Sequence, residues 1–161
     1  MNVGAMIVAL ASVPAVAQTS CSDRSVFPQP CSGASTQLAA ADYQAWIAFY
    51  DALDLTNLPG GCTKTDPCGG CTFGANACTA TASAQCVSCK AIGTTQHITK
   101  MSFPDQMLTG TIPNAISGFS QLRYLDLSAQ QNKITGSIPG NAIKTMKQLT
   151  TLCSSLPLAE A

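Results

Sequence analysis

Two rhythms of apolar residues divide this chain. Over 38–55, Tyr43, Trp46, Ile47, Tyr50 and Leu53 recur at steps of three and four. That is one face of a 3.6-residue period, so the segment is predicted to be an amphipathic helix. Ser35 or Thr36 is placed to cap its start, Asp42 falls in an early turn, and Pro59-Gly60-Gly61 is placed to stop it. An aromatic stripe at this spacing reads as packing, not as a cofactor site. From Ile98 the rhythm changes. ITKMSFPDQMLTGTIPNAISGFSQ spans 24 residues, LRYLDLSAQQNKITGSIPGNAIKTMKQ spans 27, and a third copy opens at Leu149 with LTTL. Each copy opens on a short strand, whose alternate side chains point to opposite faces. Ile98, Met101, Phe103 and Leu108 are the inward set of the first copy, and Leu122, Leu125, Leu127 and Ile134 that of the second. One turn of chain buries a single face against its neighbours, so such copies stack into a solenoid. Between the two rhythms, 56–97 is rich in Cys, Gly, Thr and Ala. A segment with so little apolar surface needs covalent or metal staples.

Both copies carry T-G-x-I-P, at 109–113 and 135–139, and Asn132 sits ahead of the second. Together with the spaced aliphatics this fits the template L-x-x-L-x-L-x-x-N-x-L. The pattern resembles plant-type leucine-rich-repeat proteins. D-Y-Q-A-W-I-A-F-Y-D-A-L at 42–53 and Asp66-Pro67-Cys68 resemble the N-terminal cap of that family. The resemblance covers about residues 38–152. It implies an α/β solenoid: a short repeat stack with a concave parallel sheet, helical turns behind it, and a helical, cysteine-stapled cap. Three features depart from the pattern. Gln106 replaces the turn Asn, the second copy carries three extra residues that must bulge, and the third fades after Leu152. The organisation expected is a signal peptide at 1–17, a Ser/Pro/Cys arm at 18–37, the cap at 38–97, repeats at 98–152, and a degenerate tail or truncated repeat at 153–161.

The leader reading rests on the apolar run VGAMIVALA at 3–11, followed by Ala15-Val16-Ala17 before Gln18. It is too short to span a bilayer, and no other stretch is long and apolar enough to do so. The chain is therefore expected to be secreted, without a membrane span. The nine cysteines need an explanation. Cys68, Cys71, Cys86 and Cys89 form two C-x-x-C pairs separated by 14 residues, close to a zinc-knuckle spacing. An oxidising compartment favours disulfides instead, and zinc is kept as the alternative metal set. Cys153, outside the cluster, is the candidate odd thiol and a route to a disulfide-linked oligomer.

Charged residues make up 10% of the chain and cancel to zero, with a mean hydropathy of +0.20. That excludes a polybasic nucleic-acid arm and argues against long-range steering of a charged partner. No catalytic or cofactor motif is present, so no cofactor is expected. His97 reads as a surface-loop residue without a partner, and Asp51 and Asp54 as a solvated helix face. Recognition is what the repeats offer. The outward positions of the strands are Thr99, Lys100, Ser102, Pro104 and Asp105, then Arg123, Tyr124, Asp126 and Ser128, extended by Thr150 and Thr151. Arg123 and Tyr124 are the best anchors, since both residue types dominate interface energetics. The bland reading has Tyr124 covering the sheet and Arg123 paired with Asp105 or Asp126. The expected function is a non-enzymatic recognition module binding a protein, or a glycan, on its concave sheet. The rivals are a disulfide-rich extracellular structural protein and an intracellular zinc-knuckle scaffold.

Overall fold

The computed structural model describes residues 21, 22, 24, 26–58, 62–70, 86–104, 106–128 and 132–159. The leader at 1–17, the Pro59-Gly60-Gly61 stop, Cys71 and Asp105 lie outside the described residues.

The cap helix, α1, runs Ala40–Ala52. Tyr43, Trp46, Phe49, Tyr50 and Leu53 are buried along it, while Ile47 packs at the margin. Phe49 lies off the expected stripe, yet its ring contacts Phe103 and Phe119 of the repeats, so the buried face is wider than the periodicity indicates. Each such side chain contributes about 2 kcal/mol on burial. The polar ends of the aromatics are satisfied: Trp46 Nε1 donates to the Lys64 carbonyl at 3.1 Å and Tyr43 Oη to the Gln29 carbonyl at 2.8 Å. No side chain caps the helix; the N-cap is Ala39. Its amide bonds Gln96, as part of a short pairing between 37–39 and Gln96. Ser35 is used elsewhere. Past the helix end, Asp54 adopts φ 49°, the left-handed conformation that closes many helices.

Asp66 explains the Asp-Pro-Cys stretch. Its carboxylate accepts bonds from the Ala34 amide at 3.2 Å, the Ser35 amide at 2.9 Å and the Ser35 hydroxyl at 2.6 Å. The Ser35 oxygen in turn accepts the Cys68 amide at 2.9 Å. The arm is thus tied to the cysteine-rich segment beside a disulfide, Cys68–Cys89; a second disulfide, Cys21–Cys31, closes the arm on itself. Cys62 and Cys86 are also disulfide-bonded. The zinc set is corrected by this pairing: Cys68 and Cys89 are bonded to each other and Cys86 is oxidised, so these three supply no thiolate. Among the described residues Cys153 is the free cysteine, as the sequence indicates.

A hairpin follows that periodicity does not announce. Strand β1, Val87–Ile92, turns at Gly93 (φ 65°) into β2, Thr95–Ser102, with which it pairs antiparallel. From β2 the repeat geometry takes over. Strands β4, Tyr124–Asp126, and β6, Thr151–Cys153, add in parallel to give the order β1-β2-β4-β6. A second parallel pair joins β3, Thr109–Thr111, to β5, Lys133–Thr135. A short 3-10 turn, Asn114–Gly118, and helix α2, Gly140–Thr145, supply the helical turns. Ile98, Met101, Phe103, Leu108, Leu122, Leu125 and Leu127 are all buried, as their spacing requires.

Two expectations about the repeats are revised. Lys100 pairs with Tyr124 and Thr109 with Lys133, an offset of 24 residues in both sheets. The Thr-Gly motifs of the two copies therefore do not face one another; Gly110 pairs with Ile134. The three extra residues are taken up after β5, not before it. The third copy also continues past Leu152. Cys153 ends β6, and the chain returns so that Ile138 bonds Pro157 and Ala159 at 2.8 Å each.

His97 is not a surface-loop residue. Asp42, fully buried in the first turn of α1, faces His97 Nδ1 through Oδ2 at 2.9 Å and accepts the Ile98 amide through Oδ1 at 2.9 Å. This pair fastens the cap to β2. Burial pushes the Asp42 carboxyl above its usual range, against the hydrogen bonds from Ile98 and His97 that pull it down. A carboxyl raised on folding holds its proton more tightly in the native chain. Its contribution is complete below the ordinary value of 3.8 and is lost as pH rises through the folded value. Wild type is therefore expected to lose stability relative to Asp42→Asn over that interval. Urea midpoints of both proteins from about pH 3 to about pH 7 check this, and a difference that grows the other way refutes it.

Candidate ligand-binding face

Alternation along the short strands sets the site. Met101, Leu125 and Leu152 lie side by side and point to the core, so their neighbours on each strand point away from it. This produces two cross-strand rows, Ser88–Lys100–Tyr124–Thr151 and Ser102–Asp126–Cys153.

Tyr124 is the centre. The Lys100 ammonium stands 5.6 Å from its ring centroid, a cation–π arrangement. The Tyr124 hydroxyl donates to Asp126 Oδ2 at 3.3 Å. Asp126 Oδ1 accepts both the Ser128 amide at 2.9 Å and the Ser128 hydroxyl at 2.6 Å. Burial raises the Tyr124 phenol above its usual range, and the adjoining Asp126 carboxylate and Cys153 thiol push the same way. At neutral pH the ring therefore stays neutral and keeps its donor.

The expected site residues divide as follows. Lys100, Tyr124 and Asp126 are brought together. Arg123 is exposed beside them; its carbonyl accepts the Thr150 and Thr151 amides and the Thr150 hydroxyl. No ion pair joins Arg123 to Asp126, whose oxygens accept from Tyr124 and Ser128. Thr99 is half-buried and its hydroxyl donates to the Ser88 carbonyl at 3.1 Å. Ser102 is a correction. It is 2% exposed, with its amide on the carbonyl of Cys86, the residue just before β1. Asp105 lies outside the described residues. Cys153 was missed, although the 27-residue spacing places it level with Asp126.

No protein-family model matches this chain, and no curated protein matches it. Solved structures do. A plant ice-binding protein aligns with 22% identity and a TM-score of 0.53, over 74% of this chain and 33% of that one. The leucine-rich-repeat ectodomain of the receptor kinase SOBIR1 from Arabidopsis thaliana aligns with 21% identity and a TM-score of 0.48, over 75% and 55%. A chain of the BIR3–SERK2 complex from the same plant aligns with 27% identity and a TM-score of 0.37, over 52% and 43%. This chain spans between a third and just over half of those solved chains. The likeness to the ice-binding protein is one of fold alone. No helix among the described residues is long and apolar enough to cross a membrane.

Proposed function

We propose that this chain is an extracellular recognition module, without catalytic activity, that binds a partner protein on the outward face of its four-stranded sheet. The observation that carries this reading is the pre-set cluster at Tyr124. Lys100 and Asp126 hold the side chain from two sides, so little rotamer freedom remains to be lost on binding. Tyrosine and arginine, adjacent here at the start of β4, are residue types that anchor interfaces. The disulfides support an oxidising, extracellular setting.

A photo-crosslinking residue at position 124, with position 135 on the second sheet as control, tests the assignment in extracellular fluid of the native host. Protein adducts are expected from 124 and not from 135. Equal labelling at both positions, or none at 124, refutes the reading.

A further inference from the structure

The balanced net charge conceals a separation of signs. Of the eight basic residues, six follow residue 86: Lys90, Lys100, Arg123, Lys133, Lys144 and Lys147. Of the eight acids, five precede it: Asp23, Asp42, Asp51, Asp54 and Asp66. The described acids of the cap are used within the fold. Asp42 holds His97 and Ile98, Asp51 pairs with Lys64 at 2.7 Å, Asp54 accepts the Thr56 hydroxyl at 2.6 Å, and Asp66 holds the arm. On the sheet, Asp126 is likewise occupied by Ser128 and Tyr124. Among the described residues, Lys100 and Arg123 have no carboxylate within ion-pair distance. Among the described residues the sheet face therefore carries two cations, Lys100 over the Tyr124 ring and the exposed Arg123 next to it in the chain, against the single carboxylate of Asp126.

We propose that this face receives an acidic segment of the partner protein, with Lys100 and Arg123 meeting its carboxylates and Tyr124 packing against it. The inference rests on the recognition reading above and supplies the chemistry of the partner. Opposite potentials speed encounter and set register, and like charges exclude the wrong partners. Both cations are near water, so the attraction is screened by salt.

The test uses the full oxidised chain and three probes: a fluorescent Glu/Asp-rich peptide, its Gln/Asn counterpart of equal length, and a uronate oligosaccharide of equal charge. Binding is followed by anisotropy at low and at physiological salt. The acidic peptide is expected to bind, to weaken as salt rises, and to lose about tenfold or more in affinity in the double variant Lys100→Glu/Arg123→Glu. Lys133→Glu/Lys144→Glu, on β5 and α2, is expected to change affinity less than about twofold. Both pairs are exposed or half-exposed, and circular dichroism with thermal unfolding verifies that the variants fold. The proposal is overturned if the acidic peptide does not bind, if the Gln/Asn peptide binds equally, if the uronate binds more tightly, or if the control pair weakens binding as much. Crosslinking at 124 alongside any of those results leaves the recognition reading standing and removes only the acidic-partner inference. Loss of both removes both.

Discussion

Asn132→Ala is expected to lower the unfolding free energy by about 3 kcal/mol, because one side chain serves two turns of the chain. Its Oδ1 accepts the Gln106 amide at 3.0 Å and the Leu108 amide at 3.1 Å, both in the preceding copy. Its Nδ2 donates to the carbonyls of Phe103 at 2.9 Å, Leu127 at 3.2 Å and Ser128 at 3.3 Å. None of these backbone groups lies in a strand ladder, so alanine leaves them to scarce water. The two amides bracket Met107, an exposed residue held at φ 57°. A left-handed methionine is strained by roughly 1 kcal/mol or more, and the asparagine holds it there. Gln106, at the matching position of the first copy, cannot substitute: its own amide reaches only the Pro104 carbonyl at 2.8 Å. Urea unfolding measures the loss. Asn132→Asp, which keeps the acceptor and removes the donor, is expected to fall between alanine and wild type. A cost below about 1 kcal/mol for the alanine variant contradicts the account.

Gly110→Ala is expected to cost about 3 kcal/mol or more, and Gly136→Ala about 1 kcal/mol, although the two glycines occupy the same place in T-G-x-I-P. Both have positive φ, 97° and 80°. The difference is what surrounds them. A Cβ on Gly110 would fall onto the Ala52 carbonyl at the end of α1, whose backbone cannot move without lifting the cap off the repeats. A Cβ on Gly136 meets only a Thr111 methyl at 3.7 Å, an ordinary contact. The alanine at 136 therefore pays for its conformation alone. Paired urea melts of the two variants decide the matter, and equal losses refute the role given to α1.

Much of the architecture was legible in local spacing. The aromatic steps along α1 identify the face that is buried. The aliphatic steps from Ile98 to Leu127 name the inward residues of β2 and β4 and so, by alternation, the outward ones. Spacing succeeds here because a helix or strand turns its side chains by a constant angle, and burying one face imprints that angle on the residue order. The odd thiol was legible too, since it lies apart from the cysteine cluster.

What spacing does not carry is contact between distant segments. Asp42 and His97 are 55 residues apart, and neither shows a local reason to be buried. Strand β1 shows no apolar stripe of its own beyond Val87; its pairing with β2 and the Cys68–Cys89 disulfide hold it in place. Ser102 has the alternation of an outward residue, yet it is buried where its amide bonds Cys86. The two Thr-Gly motifs look equivalent in the sequence, but strand pairing keeps a constant offset and sets them out of register. The sequence by itself determined which faces of the helix and strands turn inward, because that is a property of one element at a time. The tertiary structure alone decided which acids are consumed inside the fold and which cations are left at the surface. A charge finds its partner through space, and only the packed chain settles which partners come within reach.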